Sequence, residues 1–459
     1  MTFTYSVTAA DWGRVIPELV MVGIVIIVML TDLLMLPRGK NPQHHGPTNF
    51  TALPLISVMG IVATLIVTIV QFTVGDHLNA FNQMIGSDYG SLFAYIIILT
   101  ASGIGLLLSP AYLKRLNLVH QGEYYALYLL ATIGMMIMAA ATNFLTIFLG
   151  LEMLSLALYI LCGFVSRRLS SQESGMKYFL LSSFASAFLL YGMALTYGAT
   201  GHTSFDAINA FLNHPPTGQI QAHTMLLVAM GLLIVGFAFK VSAVPFQAWT
   251  PDVYDGAPAP ITAFMSVGTK AAALIAFMRV FDVVLFPLRG DWLPIVWAIT
   301  VLTIVGGNIL ALVQNNVKRM LAYSSIAHAG YLLIGIVAAG EAPRLGLNLS
   351  TPFDLTSGKA AIFFYLFSYA FLNLGAFGVV AVLERADNTG SRYSDIKGLW
   401  YRRPILTGLL AFFLLGLAGF PPMAGFAAKY YLFYAAFTSG HPELVIIGVL
   451  ASILGMYYY

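Results

Sequence analysis

Apolar runs of about 20 residues recur along the whole chain, and short polar segments separate them. A helix needs about 20 predominantly apolar residues to cross the hydrocarbon core of a membrane. The pattern therefore predicts an all-α polytopic membrane protein with 13 visible spans. Their predicted limits are 16–37, 52–74, 91–109, 124–141, 143–164, 174–198, 224–245, 258–285, 291–314, 320–340, 358–384, 404–437 and 443–459.

Two of the predicted spans contain helix-breaking residues. The seventh carries Lys240 and then meets Pro245, and the twelfth contains Pro421 and Pro422 followed by Lys429. Proline has no N–H group and clashes with the preceding turn, so we expect both helices to break. Broken helices at corresponding places in two halves of a chain are typical of transporters built from a repeated unit.

The two breaks lie five spans apart and divide the chain into three segments. Residues 1–120 are predicted to form an N-terminal three-helix segment, residues 121–285 a first repeat of spans four to eight, and residues 286–459 a second repeat. The last apolar run ends at Tyr459 without a polar tail. This favours an incomplete final span over an interfacial belt of tyrosines.

Lysine and arginine are unevenly distributed between the two sides of the predicted membrane. Loops after odd-numbered spans hold 14 of the 22 basic residues, and the opposite side holds four. Because basic loops mark the cytoplasmic side, we expect the N-terminus to lie outside the cytoplasm. The remaining four basic residues, Lys240, Lys270, Arg279 and Lys429, fall inside predicted spans.

The composition excludes a soluble protein and several kinds of site. Only 9% of the residues are charged and 59% are hydrophobic, whereas a soluble domain carries about 25% charged residues. A single cysteine, Cys162, excludes an internal disulfide and a thiolate-based metal or redox centre. The sequence has no CxxC, GxGxxG or Walker motif, so we expect no cofactor or metal in this chain.

Ionisable residues inside the predicted spans are the main functional candidates, because a charge at membrane depth costs roughly 2.5–3.5 kcal/mol on insertion scales. Glu152 lies near the middle of the fifth span, and Lys240 and Lys270 lie in the seventh and eighth. A lysine whose carboxylate partner can move away can load and release a proton. The alternatives are a glutamate that only joins packed helices and lysines that extend to the membrane interface.

Three further residues are candidates for the same chemistry. His328 in the tenth span belongs to the residue type that changes charge near neutral pH, although a lone histidine is often only a packed core residue. Lys429 follows the second break, as Lys240 accompanies the first. Lys177 can pair with Glu173 on one helix face, either as interfacial structure or as part of the charge chain.

Two acidic residues after the first break have a simpler interpretation. Asp252 and Asp255, with Gly256 and Pro258, are predicted to be turn and cap residues ahead of the eighth helix. A metal site there would need more clustered ligands.

Several segments resemble the antiporter-like membrane subunits of respiratory complex I, most closely the subunit N (ND-two) type. They are FKVSAVPFQAWTPDVYDGAPAPITAFMSVGTKAA, GLEMLSLALYIL, ESGMKYFLLSSFASAFLLYG, KRMLAYSSIAHAGYLLIG and GFPPMAGFAAKYYLF. The resemblance is strong over residues 120–459. It implies two inverted five-helix repeats with a broken helix in each, and a fourteenth span beyond Tyr459.

The resemblance also implies a role for each candidate residue by its position. Glu152 matches the family's fifth-span glutamate, which is thought to pair with the seventh-span lysine, here Lys240. Lys270 matches a connecting lysine, and His328 lies where the family has a tenth-span histidine. Lys429 matches the lysine thought to exchange protons with the outside.

At one position this chain departs from the family. Gln247 stands where members commonly have histidine, so no titratable role is expected for that side chain.

The function implied by the resemblance is that of a proton-translocating, redox-inert membrane-arm subunit of NADH:quinone oxidoreductase in the bacterial inner membrane. Flavin, iron–sulfur clusters and quinone would then lie in partner subunits. The implied partners are neighbouring antiporter-like subunits, small K, J, A and H-type subunits and lipid, but no nucleic acid.

Three alternatives remain open on the sequence. The chain could belong to a cation/proton antiporter complex, or to an oxidoreductase fed by ferredoxin or F420. It could also be a scaffold subunit that no longer pumps, although a scaffold has no need of costly buried charges.

Overall fold

The computed structural model describes residues 7–35, 51–116, 118, 121–214, 220–341, 357–385 and 390–459, which are almost entirely helical. The first helices are Ala9–Arg14 (α1), Ile16–Met35 (α2), Ala52–Val74 (α3), Tyr89–Arg115 (α4), Gln121–Ala140 (α5), Phe144–Cys162 (α6), Leu169–Thr200 (α7), Phe205–Asn213 (α8), Ile220–Lys240 (α9) and Trp249–Gly256 (α10). A short antiparallel hairpin, Asn79–Ala80 (β1) with Ile85–Gly86 (β2), lies between α3 and α4.

The remaining helices follow without a further sheet in the described ranges. They are Ala259–Arg279 (α11), Arg289–Leu312 (α12), Val317–Gly340 (α13), Gly358–Leu383 (α14), Tyr393–Ile396 (α15), Leu399–Arg402 (α16), Pro404–Ala418 (α17), Ala424–Thr438 (α18) and Pro442–Tyr458 (α19). A π-helical turn, Val280–Val284, and a 3-10 turn, Phe286–Leu288, connect α11 to α12. The predicted all-α class is confirmed.

Eleven of the described helices are long and apolar enough to cross a membrane, and α17 and α19 are shorter apolar helices. Their limits lie close to those of the apolar runs, with two differences at the breaks. The seventh span ends at Lys240 instead of 245, and the twelfth run forms α17 and α18. The chain is therefore a multi-pass membrane protein.

Helices α11 and α13 form the centre of the bundle. The spanning windows of α11 and α13 are 100% and 94% buried, against 28% for α2. Helix α11 contacts α4, α5, α6, α9, α13 and α14, so most of the bundle packs around it. Any ionisable group in the middle of α11 or α13 is consequently surrounded by protein.

Several basic side chains meet at one end of the bundle. Arg115 donates to the backbone oxygen of Glu384, and Arg168 and Lys318 bind its side chain. The last turn of α4, the first turns of α7 and α13 and the end of α14 therefore lie together. We call this the basic end.

The first break, between α9 and α10, is a turn whose backbone groups are satisfied by neighbouring atoms. Ser242 has a left-handed φ of 64°, and its hydroxyl accepts a hydrogen bond from Thr250 at 2.7 Å. The indole of Trp249 donates to the Phe239 carbonyl at 3.1 Å, and the N–H of Val244 donates to the Thr303 hydroxyl at 3.0 Å. Non-helical backbone at membrane depth requires such partners.

The second break, between α17 and α18, depends on two glycines. Gly419 has a φ of 87°, and its N–H donates to the Leu415 carbonyl at 3.2 Å. Gly425 packs its Cα against the end of α17, where an added Cβ would lie 1.9 Å from the Gly416 carbonyl oxygen. The two half-helices can approach this closely only because residue 425 has no side chain.

We expect Gly425→Ala to destabilise the second break, because the Cβ would overlap a backbone atom that cannot rotate away. Overpacking of this kind costs about 1–3 kcal/mol. The measurement is the thermal unfolding midpoint of the purified chain in detergent. Gly408→Ala is the matched control, since an added Cβ there meets nothing within 4 Å. Equal midpoints for the two variants would contradict this account.

Candidate functional site

Four of the five main candidates are buried inside the bundle. Lys240, Lys270, His328 and Lys429 are each no more than 6% exposed, and Glu152 is partly buried on α6. Helices α6, α9, α11, α13 and α18 each contribute one of the five. The sequence prediction that these residues lie within the protein is therefore correct for the four most buried ones.

Lys240 is the last residue of α9, and two serines bind its ammonium group. Its Nζ donates to Ser155 on α6 and to Ser182 on α7, both at 2.7 Å. The break lies earlier than the one expected at Pro245, because the backbone leaves the helix directly after Lys240. The C-terminal end of a helix carries partial negative charge, which favours a cation there.

Glu152 lies one helical turn before Ser155 and does not contact Lys240 directly. No ion pair within 4.0 Å joins Glu152 to Lys240 in the described structure. One carboxylate oxygen of Glu152, Oε1, is buried without a hydrogen-bond partner among the described atoms. The expected direct pairing of Glu152 with Lys240 is thus not formed in this conformation.

Lys270 lies at the centre of the bundle and is bound by a single residue of α13. Its Nζ donates to the carbonyl oxygen of Ser325 at 2.5 Å and to its hydroxyl at 2.6 Å. Tyr369 on α14 donates to the same hydroxyl at 2.9 Å. Lys270 is therefore connected by hydrogen bonds to both α13 and α14.

His328 lies one turn after Ser325 and is bound on both ring nitrogens. Nδ1 is 2.5 Å from the Tyr365 hydroxyl, and Nε2 is 3.0 Å from that of Tyr459. The ring centres of His328 and Tyr369 are 4.9 Å apart. Because a tyrosine hydroxyl both donates and accepts, either neutral tautomer of the histidine can be satisfied here.

Lys429 crosses the second break. It lies on α18, and its Nζ donates to the carbonyl oxygen of Ala418, the last residue of α17, at 2.8 Å. The same atom lies 5.0 Å from the centre of the Tyr331 ring. Tyr331 in turn packs against His328 with 5.9 Å between the ring centres.

The structure thus brings three of the candidates into one cluster. Lys270, His328 and Lys429 are linked through Ser325, Tyr369 and Tyr331 by the contacts given above. Glu152 and Lys240 form a second group, and no hydrogen bond joins Lys240 to Lys270 in the described part of the chain. A proton would have to cross between the two groups by another carrier.

Lys177 lies apart from these groups, in the N-terminal part of α7. It pairs with Glu173 at 2.7 Å, as the helical spacing predicts, and with Asp252 at 2.8 Å. Asp252 also binds Arg319 at 2.9 Å. The prediction that Asp252 is only a turn or cap residue was wrong, because it lies within α10 and joins that helix to α7 and α13.

A metal site finds no support in the geometry. Within the described ranges, no three His, Cys, Asp or Glu side chains lie together as metal ligands would. Gln247 lies within the first break, and its side-chain oxygen is buried without a hydrogen-bond partner among the described atoms.

Comparison with known proteins gives the family. Residues 141–455 match the family model described as NADH:quinone oxidoreductase/Mrp antiporter, TM. A subunit N of NADH-quinone oxidoreductase from Trichlorobacter lovleyi is 41% identical, over 97% of this chain and 85% of that protein. This chain belongs to the subunit N family of NADH-quinone oxidoreductase.

Solved structures agree with membership of the subunit N family. A chain of respiratory complex I from Thermus thermophilus with bound aureothin is 30% identical with a TM-score of 0.75, over 97% of this chain and 88% of that one. A chain of the Mrp complex from Dietzia sp. DQ12-45-1b matches with a TM-score of 0.76 at 19% identity, over 96% and 78%. The Mrp likeness shows a shared fold.

Sequence reasoning identified the lysines of this subunit N family member but missed the residues that bind them. Ser155 follows Glu152 by three residues, a spacing that places both on one face of α6 and that could have identified the serine. Glu384 was also missed. Glu384 stands at the end of an apolar run, on the side of the predicted membrane where most loops are basic. Its negative charge among these basic residues was the sequence signal that could have identified it.

We expect Ser182→Ala to destabilise the α7–α9 contact, because a buried ammonium would lose one of its two hydrogen bonds. A hydrogen bond to a charged group contributes about 1.5–3 kcal/mol. The measurement is again the thermal unfolding midpoint in detergent. Ser183→Ala is the matched control, because that exposed hydroxyl donates to the Phe179 carbonyl of its own helix and does not bind Lys240. A loss in Ser183→Ala as large as in Ser182→Ala would refute the assignment.

Proposed function

We propose that this chain is a proton-translocating, redox-inert subunit of the membrane arm of a bacterial NADH:quinone oxidoreductase. The observation that carries the proposal is the set of buried ionisable side chains, with one lysine at each of the two helix breaks. Buried ionisable groups in a membrane bundle are costly and are typical of proton pathways. The names of the relatives, at 36–42% identity, supply the kind of complex.

The path would run through the five candidates. Lys270, His328 and Lys429 would form one part through their shared hydrogen-bonding and ring contacts, and Lys240 with Glu152 the other. When Glu152 moves away from Lys240, the lysine holds its proton less strongly and can pass it towards Lys270. Lys177 is a further candidate at the basic end, where it pairs with Asp252.

In this proposal, partner subunits carry out the redox chemistry of the complex. Flavin, iron–sulfur clusters and quinone would be held elsewhere in the complex, and neighbouring membrane-arm subunits would transmit the energy of quinone reduction.

The chain would lie in the bacterial inner membrane with the basic end facing the cytoplasm and the N-terminus outside. Two inverted five-helix repeats, over residues 121–285 and 286–459, would each contain one break.

We expect Lys240→Met in the assembled complex to lower the number of protons moved per electron. The neutral side chain fills a similar volume but can neither carry a proton nor respond to Glu152. The measurement is proton uptake against NADH oxidation in reconstituted vesicles. Lys114→Met, at an exposed position, is the matched control. A wild-type ratio in the Lys240→Met complex would contradict the proposal.

Purification of the native complex in mild detergent separates this proposal from its main rival. We expect mass spectrometry to find flavin, iron–sulfur and quinone-site subunits beside this chain. A complex that contains only antiporter-like subunits would assign the chain to the cation/proton antiporters instead, whose Mrp member shares the fold.

A further inference from the structure

A carboxylate outside the proposed path is completely buried at the basic end. Glu384 follows the last residue of α14, and its side chain is 0% exposed. Its Oε1 accepts hydrogen bonds from Arg168 Nη1 at 2.7 Å and from the Tyr112 hydroxyl at 2.8 Å, and its Oε2 accepts one from Lys318 Nζ at 3.3 Å. We call these four side chains the Glu384 cluster.

The Glu384 cluster balances charge out of contact with water. The side chains of Arg168 and Lys318 are 7% and 0% exposed, so Glu384 is the anion between two buried cations. Burial alone would raise the pKa of Glu384, but the charges of Lys318 and Arg168 outweigh burial and leave that pKa below its usual value. The carboxylate is therefore ionised at neutral pH, and a neutral side chain in its place would remove the negative charge that both cations contact.

Lys318 extends the cluster to α10, the helix that follows the first break. Besides Glu384, its Nζ donates to the carbonyl oxygens of Asp255 at 2.9 Å and Ala257 at 3.0 Å, at the end of α10. The neighbouring Asn316 donates to the Asp255 carboxylate at 2.9 Å. The first turn of α13 is thereby fixed to the helix that follows the break.

Lys318 also lies on the same face of α13 as the partner of Lys270. Ser325 is seven residues further along, which is two helical turns or about 10 Å. Lys318 and Ser325 belong to one uninterrupted helix, so we expect a displacement of the first turn of α13 to be transmitted to Ser325. Lys270 Nζ binds only Ser325 among the described residues, so its hydrogen bonds depend on the position of α13.

We propose that Glu384 is a positioning residue for the proton path, an inference that rests on the proposed function. By binding Lys318, it fixes the ammonium group that joins the first turn of α13 to the end of α10, and so keeps Ser325 at Lys270. Among the described residues it contacts none of the five path residues. Its effect on proton movement therefore passes through α13.

The test measures protons moved per electron in the assembled complex, reconstituted in vesicles, for Glu384→Gln. We expect this ratio to fall to that of a Lys270→Met complex, because the amide cannot balance Lys318 and Arg168. A merely structural role would reduce the yield of assembled complex but leave the ratio of the assembled fraction at the wild-type value, and that result would overturn the inference.

Two further variants test whether the negative charge of Glu384 is responsible for the effect. Glu384→Asp keeps the carboxylate, and the double variant Arg168→Gln with Glu384→Gln removes one charge of each sign. We expect both to have ratios nearer to wild type than Glu384→Gln has. If the Glu384→Gln complex does not assemble, these two variants test the inference in its place. A proton-to-electron ratio as low as that of Lys270→Met in both variants would overturn the inference. Asp206→Asn, at an exposed carboxylate, is the matched control.

The same experiment separates the two proposals. If Lys270→Met has a low ratio while Glu384→Gln has the wild-type ratio, the positioning role is wrong and the proposed function stands. If Lys270→Met itself has the wild-type ratio, the proposed proton path is wrong, and the positioning role of Glu384 is then also wrong.

Discussion

Three lysine ammonium groups are buried in this bundle, and the structure depends on the hydrogen bonds that replace their hydration. An ammonium group that leaves water loses hydration, and only hydrogen bonds inside the protein can replace it. Lys240 has two serine hydroxyls, Lys270 has the hydroxyl and carbonyl of Ser325, and Lys429 has the carbonyl of Ala418. None of these partners is a carboxylate. A hydroxyl can also donate to a neutral amine, so the serine partners suit a lysine with or without its proton.

The helix breaks supply these oxygen atoms and place the lysines. A continuous helix uses its own carbonyls, whereas the end of a helix leaves several free to accept other donors. Lys429 uses such a carbonyl at the end of α17, and Lys240 is itself the last residue of α9. The turn between α9 and α10 stays at membrane depth because the side chains of Trp249 and Thr303 satisfy backbone groups there.

The apolar pattern was enough to predict the class, the order of the spans and the two breaks, because each depends on local sequence. It could not predict that α9 ends at Lys240, since the turn depends on Thr303 of α12, far along the chain. Local signals could mark Ser155 and Glu384 as candidates, but they could not show which distant residues these two contact. Ser155 and Ser182 lie on different helices from Lys240, and Arg168 and Glu384 are 216 residues apart.

If the buried lysines of this chain carry protons, they change protonation state while the complex works. An infrared difference spectrum of the intact complex, at rest and during turnover, with lysine isotopically labelled, measures this directly. We expect label-sensitive bands that appear on turnover and disappear in a Lys270→Met complex. Spectra without any label-sensitive change, from a complex that still oxidises NADH and moves protons, would contradict this expectation.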